Sequence, residues 1–262
     1  DDRQPATTKG TGEGAAGAEA PIGARRQRRR AYGGRSGMRV GAPPSENTHM
    51  DFNLTQDQEA LRDLARKVFT DLSTEDRLKS LKAAGEWHDK PTWDGLAQAS
   101  LLGVAVPEEF GGSGMGLQEL GLLCEEVGRA VAQVPVLASL VLGALPVAEF
   151  GTATQKKAWL PGVASGTTVL TAGLQELAND DPCRPATTAR KDGAGWTLDG
   201  VKIGVPSADM AARILIPAAT GKGTVGVFLV DPKAPGGPRK SAGRKSATCS
   251  PHPPRATRRR SC

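Results

Sequence analysis

Hydrophobic and polar positions divide the chain into a helical part and a β part. Between residues 55 and 166 the apolar residues recur every three or four positions, the period of an amphipathic α-helix. Between residues 167 and 231 they alternate with polar residues in short runs rich in Thr, Val, Ile and Leu, the period of β-strands. Helices followed by strands, without alternation of the two, predict an α+β fold.

The first predicted helix follows a capping box. Thr55 stands three residues before Gln58, so the hydroxyl and the side-chain amide satisfy helix N–H groups that have no intrahelical partner. One apolar stripe then runs along the helix and indicates packing on a core. Its members are Leu61, Leu64, Ala65, Val68, Phe69 and Leu72.

Three more helices are predicted before residue 150. Pro91 suits the first turn of a helix over Thr92–Leu102, and the Gly-rich segment Gly103–Gly116 is predicted to be a loop. The next predicted helix spans Leu117–Ala132, and another occupies much of Val136–Phe150. The inner apolar stripe of the helix at Leu117–Ala132 is Leu117, Leu120, Leu123, Val127 and Val131.

The stretch EFGTATQKKAWLPGVASG, residues 149–166, marks the change from helices to strands. Gly151 ends one helix, and Thr152 with Gln155 forms a second capping box that begins another. Trp159 and Leu160 are expected to anchor this short helix, and Pro161-Gly162 to help end it. Strands are then predicted in TTVLTAG, ATTARKD, GWTLDG, VKIGV, AARILIPA and TVGVFLVD, with a hairpin turn at residues 192–195.

The two ends differ from the middle in charge. Residues 1–49 carry a net charge of +4 and residues 233–262 a net charge of +9, whereas residues 50–232 carry −7. An acidic folded body disfavours nucleic acid as its partner. Both ends lack apolar periodicity and are expected to be disordered, although the run ARRQRRR could also be a basic recognition patch. Met50, directly before the first helix signal, is the expected biological start.

Composition favours a cytoplasmic protein without a metal site. The four cysteines lie far apart with no Cys-x-x-Cys pair, and the three histidines are equally scattered. No apolar run is long enough to span a membrane. Residues 103–120 imitate a dinucleotide-binding turn, but their glycines miss the Gly-x-Gly-x-x-Gly spacing. The adjacent acids Glu125 and Glu126 are more simply explained as helix surface charge than as an acid–base pair.

Four segments in order resemble the acyl-CoA dehydrogenases. These are PEEFGGSGMG, CEEVGRAVAQVP, the stretch at residues 149–166 and ATTARKDGAGWTLDGVKIGV. The resemblance covers about residues 50–235. It implies an N-terminal helical domain at 50–167 and part of a middle antiparallel β-barrel domain at 168–235. Composition places a disordered leader at 1–49 and a disordered basic tail at 236–262, where the family pattern is lost.

The resemblance implies FAD-dependent removal of two hydrogens from the Cα–Cβ bond of an acyl-CoA thioester. A glutamate removes the α-proton, and the flavin accepts hydride from Cβ. Electrons then pass to an electron-transferring flavoprotein, and the intact family member is an oligomer. The family's C-terminal helical domain, which usually supplies the base, has no counterpart in this sequence, so we expect a truncated chain without catalytic residues of its own.

Two departures from the family concern the flavin-contacting segments. LTAGLQELANDDP stands where the family usually has Thr-Glu-Pro-x-Ala-Gly-Ser-Asp, and Gly204 stands where a Trp usually walls the flavin. Pro206 has neither a hydroxyl nor an N–H to offer. The positions that would face flavin or acyl chain are Thr171, Ala172, Gly173, Gly204, Val205, Pro206 and Ser207, and plain β structure is the alternative interpretation.

Three functions therefore remain open from the sequence. The first is an FAD-dependent dehydrogenase acting on fatty acid or steroid side-chain thioesters. The second is a non-catalytic partner subunit of a heteromeric dehydrogenase, for which departures at the flavin segments would be suitable. The third is an inactive fragment with exposed strand edges. In each case we expect no turnover by this chain alone.

Overall fold

A computed structural model describes residues 53–177, 179, 181–193, 195–233, 239–241 and 244–249. The helices come first and the strands second, which confirms the predicted α+β order. The helices are α1 (Gln56–Leu72), α2 (Glu75–Ala84), α3 (Lys90–Gln98), α4 (Leu117–Arg129), α5 (Leu145–Phe150) and α6 (Ala153–Ala164), with short 3-10 turns at Leu101–Gly103 and Glu108–Phe110 and a π-helical segment at Leu137–Ala144.

The capping box at α1 is present as predicted. The Gln58 N–H donates to the Thr55 hydroxyl at 3.2 Å, and the Thr55 N–H donates to the Gln58 side-chain oxygen at 3.0 Å. The apolar stripe predicted for this helix is only partly buried. Leu61, Ala65 and Phe69 are buried, whereas Leu64 is exposed.

The inner stripe predicted for α4 is only partly correct. Leu120 and Leu123 are buried in the core, but Leu117 and Val131 are exposed at the two ends. The buried acid Glu126 joins α4 to α1, accepting hydrogen bonds from Arg66 at 2.7 and 3.2 Å. The prediction of Glu126 as simple surface charge was therefore wrong, because its carboxylate is buried and paired with a cation on the neighbouring helix.

Helix α2 lies in a charged segment that the hydrophobic pattern did not identify. Only Leu81 is buried in it, so its apolar face is too narrow to give a clear period. Its ends carry local signals, since the Thr74 hydroxyl accepts from the Arg77 N–H and Gly85 caps the other end.

The helix predicted within residues 136–150 is π-helical in its first half. There the backbone of Gly143 lies against Leu170, and a Cβ at position 143 would be 2.4 Å from the Leu170 Cβ. The Ser139 hydroxyl also accepts the Leu170 N–H, at 3.5 Å. The helical region and the first strand are therefore in direct backbone contact.

Helix α6 has the predicted capping box, with Gln155 N to Thr152 Oγ1 at 3.2 Å. It continues to Ala164 with Pro161 inside it, so Pro161-Gly162 does not end the helix. Leu160 is buried and Trp159 is partly buried, as expected of anchors. The Arg213 guanidinium lies 4.5 Å from the Trp159 ring centroid and connects this helix to the sheet.

The strands are β1 (Leu170–Ala172), β2 (Thr188–Asp192), β3 (Gly195–Asp199), β4 (Lys202–Val205), β5 (Arg213–Gly221), β6 (Thr224–Val230), β7 (Arg239–Ser241) and β8 (Arg244–Cys249). Strands β2 and β3 form the predicted hairpin, with Asp192 opposite Gly195. Strands β5 and β6 are also antiparallel. However, β1 and β2 both pair with β5 in parallel, so the sheet is mixed and not purely antiparallel.

A second sheet joins β4, β8 and β7 in that order. Strands β7 and β8 lie within residues 236–262, for which composition predicts disorder, so that expectation does not hold for these two segments. The rest of this segment and the predicted leader 1–49 lie outside the described residues. Among the helices that the structure describes, none is long and apolar enough to cross a membrane.

Candidate functional site

The residues that the sequence analysis selected lie in two segments that meet in space. One is the end of β1 with the residue after it, and the other is the end of β4 with the turn after it. The Thr171 hydroxyl donates to the Pro206 carbonyl at 2.8 Å. A Cβ at Gly173 would be 3.1 Å from the Val205 side chain, so the Gly173 backbone packs closely against that side chain. The structure thus brings together two segments separated by about thirty residues of sequence.

Several of these residues serve the fold. Thr171 is fully buried, and its hydroxyl is used in the bond to Pro206. The Gly173 N–H donates to the Leu215 carbonyl at 2.9 Å, and the side chains of Ala172 and Val205 are buried. These four residues form the inner layer of the candidate site and hold its two segments together.

The remaining residues form the outer layer. Gly204 and Pro206 are exposed, and Ser207 is partly exposed. Gly204 has a φ of 60°, in the left-handed region that favours glycine, so its backbone is presented without a side chain. An exposed backbone without a side chain is one that a ligand can approach closely.

Gln175 belongs to the same outer layer, although the sequence analysis did not select it. Its carbonyl accepts the Ile203 N–H at 2.9 Å, and its side-chain oxygen is 3.0 Å from the position of a Cβ at Gly204. Its side chain is exposed. Only its place within the segment LTAGLQELANDDP could have indicated it, because its contact with β4 is made across 28 residues.

A buried ion pair lies directly behind this outer layer. Lys202 Nζ donates to Glu176 Oε1 at 2.8 Å, and the two side chains are 1% and 6% exposed. The Glu176 carboxylate also accepts the Ala186 N–H at 2.7 Å, the Thr187 N–H at 2.9 Å and the Thr187 hydroxyl at 2.6 Å. Four hydrogen bonds thus compensate the cost of burying this charge.

The pKa of Glu176 predicts a dependence of stability on pH. Burial by itself would raise this pKa, but the hydrogen bonds from Lys202 and Thr187 outweigh it and lower the pKa from 4.5 to about 2. The contribution of this carboxylate is therefore complete above pH 4.5 and is lost as the pH falls towards about 2. We expect urea unfolding to show a falling free energy of unfolding across this range. Glu176→Gln should flatten that slope, and an unchanged slope in the variant would contradict the assignment.

The outer layer carries polar groups of the kind that could bind the edge of a planar polar ring such as a flavin. Among the residues that the structure describes, neither the Gln175 amide nor the Ser207 hydroxyl has a side-chain hydrogen bond, and the Gln175 side chain lies against the exposed Gly204. An amide and a hydroxyl can each donate and accept hydrogen bonds. The chemistry of these two side chains is therefore compatible with a flavin.

Comparison with known proteins agrees with the resemblance. The N-terminal domain of acyl-CoA dehydrogenases matches residues 55–167. Acyl-CoA dehydrogenase FadE28 of Mycobacterium tuberculosis is 37% identical over 188 residues, which are 71% of this chain and 47% of that protein. FadE12 of the same species is 36% identical over 162 residues, 59% of this chain and 42% of that protein. The chain therefore spans about half the length of the curated relatives it matches.

Solved structures extend the similarity beyond the helices. A variant of the Tcur3481–Tcur3483 steroid ACAD is 44% identical with a TM-score of 0.66, over 73% of this chain and 53% of that one. The ChsE4–ChsE5 complex from Mycobacterium tuberculosis is 29% identical with a TM-score of 0.68, over 76% of this chain and 54% of that one. The chain is thus a member of the acyl-CoA dehydrogenase family over its helical domain and part of the middle domain that follows.

Proposed function

We propose that this chain supplies one wall of the flavin site in an FAD-dependent acyl-CoA dehydrogenase that acts on fatty acid or steroid side-chain thioesters. The supporting observation is that Gln175 and Gly204, which come from two distant segments, lie against each other at the exposed surface, with Ser207 three residues further along the second segment and the buried Thr171 bonded to Pro206. When bound, FAD supplies the hydride acceptor for α,β-dehydrogenation.

In this proposal the role of the described residues is to bind and orient FAD. The Gln175 amide and the Ser207 hydroxyl would hold a bound flavin through hydrogen bonds, and Gly204 would leave room for it because it has no side chain. Buried Ala172 and Val205 keep water out of the layer behind it. No described residue is assigned as the base that removes the α-proton. We propose electron transfer to an electron-transferring flavoprotein, as the family implies, and a cytoplasmic location, which the scattered cysteines favour.

A second candidate is a non-catalytic partner subunit of a heteromeric dehydrogenase. It is favoured by the internal use of the Thr171 hydroxyl and the Gly173 N–H, which leaves fewer groups for a flavin. Two similar structures are also named for pairs of proteins, Tcur3481–Tcur3483 and ChsE4–ChsE5. An inactive fragment is the third possibility.

Flavin binding and turnover separate these candidates. We expect the purified chain to quench FAD fluorescence saturably and to reduce no dye acceptor with acyl-CoA, because no base is present among its assigned residues. Gln175→Ala and Ser207→Ala should each weaken FAD binding about tenfold, the effect of losing a hydrogen bond of about 1.4 kcal/mol. The control Thr220→Ala removes a half-buried hydroxyl on β5 that donates to the Thr224 hydroxyl, and it should leave the affinity unchanged.

Other outcomes have distinct meanings. No FAD binding, with turnover only after co-expression with a catalytic dehydrogenase chain, would support the partner subunit. No FAD binding and no turnover in any combination would support the fragment. Dye reduction by the chain alone would refute the expectation that it lacks independent activity.

A further inference from the structure

The Glu176 carboxylate connects three parts of the β region. Its own loop follows β1, Ala186 and Thr187 lead into β2, and Lys202 begins β4. All four of its hydrogen bonds are between 2.6 and 2.9 Å. A carboxylate with this many donors has one strongly preferred position, because any displacement lengthens several charge-assisted bonds at once.

Each member of the ion pair is close in sequence to an outer-layer residue. Glu176 directly follows Gln175, and Lys202 precedes Gly204 by two positions. The Lys202 side chain also lies behind Gly173, where an added Cβ would be 3.3 Å from the Lys202 Cβ. Movement of either charged group would therefore move the backbone that presents the outer layer.

We propose that the buried Glu176–Lys202 ion pair is a positioning element, which sets the Gln175 loop against Gly204 and so fixes the ligand-facing surface of the candidate site. The part of this inference that concerns ligand binding rests on the proposed function. An apolar pair of similar volume would bury the same space without fixing the loop, because it would leave the N–H groups of Ala186 and Thr187 without an acceptor.

The chain offers a matched control elsewhere. Glu126 is also a buried acid, with 1% of its side chain exposed, and it pairs with Arg66 between α1 and α4. Among the described residues, the partners of its carboxylate are Arg66 and Arg129, neither of which belongs to the candidate site. Neutralising Glu126 should therefore lower stability without a specific effect on the Gln175 loop.

The test compares local hydrogen exchange with global stability in Lys202→Met, Glu176→Gln and Glu126→Gln. Exchange is followed by mass spectrometry in peptides over residues 173–177 and 203–207, and global stability by urea unfolding. For the first two variants we expect exchange in both peptides to rise tenfold or more beyond the amount that the loss of global stability explains. For Glu126→Gln we expect no such excess.

A second measurement uses FAD itself, titrated by fluorescence quenching. Lys202→Met should weaken binding about tenfold, whereas Glu126→Gln should leave it unchanged. Absence of FAD binding by the unaltered chain would refute the proposed flavin wall, and the exchange experiment would still decide the positioning role. Exchange that follows global stability equally in all three variants would show that the pair is only structural and would overturn the inference.

Discussion

Replacement of Lys202 by methionine is expected to reduce the free energy of unfolding by about 3–5 kcal/mol, the usual effect of leaving one buried charge without its partner. Methionine fills a volume close to that of lysine, so the loss reports the charge and not a cavity. The Glu176 carboxylate would remain 6% exposed with its Coulombic partner removed. Urea unfolding followed by circular dichroism measures the change.

A matched control is Lys222→Met in the exposed turn between β5 and β6. It makes the same chemical change at the surface and should alter stability by less than about 0.5 kcal/mol. Removing Glu176 as well should not restore stability, since Ala186 and Thr187 would then lack their acceptor. Equal small effects of Lys202→Met and Lys222→Met would show that the buried pair contributes little.

Gly143→Ala is expected to cost about 3 kcal/mol or more, at the upper end of the range for overpacking. The added methyl group would be 2.4 Å from the Leu170 Cβ and 2.8 Å from the Leu170 carbonyl carbon. Backbone atoms cannot turn away as a flexible side chain can, so the helical region and β1 would have to separate. Thermal unfolding measures the loss.

The same substitution at Gly121 has the opposite expected sign. Gly121 lies in α4 with open space around the position of a Cβ, so alanine should stabilise the helix by about 1 kcal/mol through its higher helix propensity. A Gly143→Ala protein as stable as the Gly121→Ala protein would show that the contact between residue 143 and Leu170 is looser than described.

Local signals account for the parts of the fold that were predicted correctly. Both capping boxes, Thr55 with Gln58 and Thr152 with Gln155, can be recognised from four consecutive residues of sequence. The structure contains both. The hairpin between β2 and β3 depends only on its turn and on the alternation beside it. Helix α2 was missed because one buried leucine gives no period.

Long-range contacts account for the rest. The parallel pairing of β1 with β5 joins residues more than forty positions apart, and alternation does not specify which strands pair. The partners Glu176 and Lys202 are 26 residues apart, so their charges have no local pattern. The resemblance selected Gly204 and Ser207 as positions that would face flavin or acyl chain, which stays a prediction, but it did not select Gln175, whose contact with β4 depends on the folded structure.

The π-helical segment at Leu137–Ala144 also makes this part of the chain tolerant of a change in length. A π-helix places more residues in a turn than an α-helix does, and deletion of one residue would let the segment relax to the α form. The shortened α-helix would turn through nearly the same total angle, so the residues after the deletion would keep close to their present directions. In the regular helix α1 the same deletion would rotate every later residue by about 100° around the axis. A single-residue deletion at the start of the π-helical segment should therefore be better tolerated than one in the middle of α1.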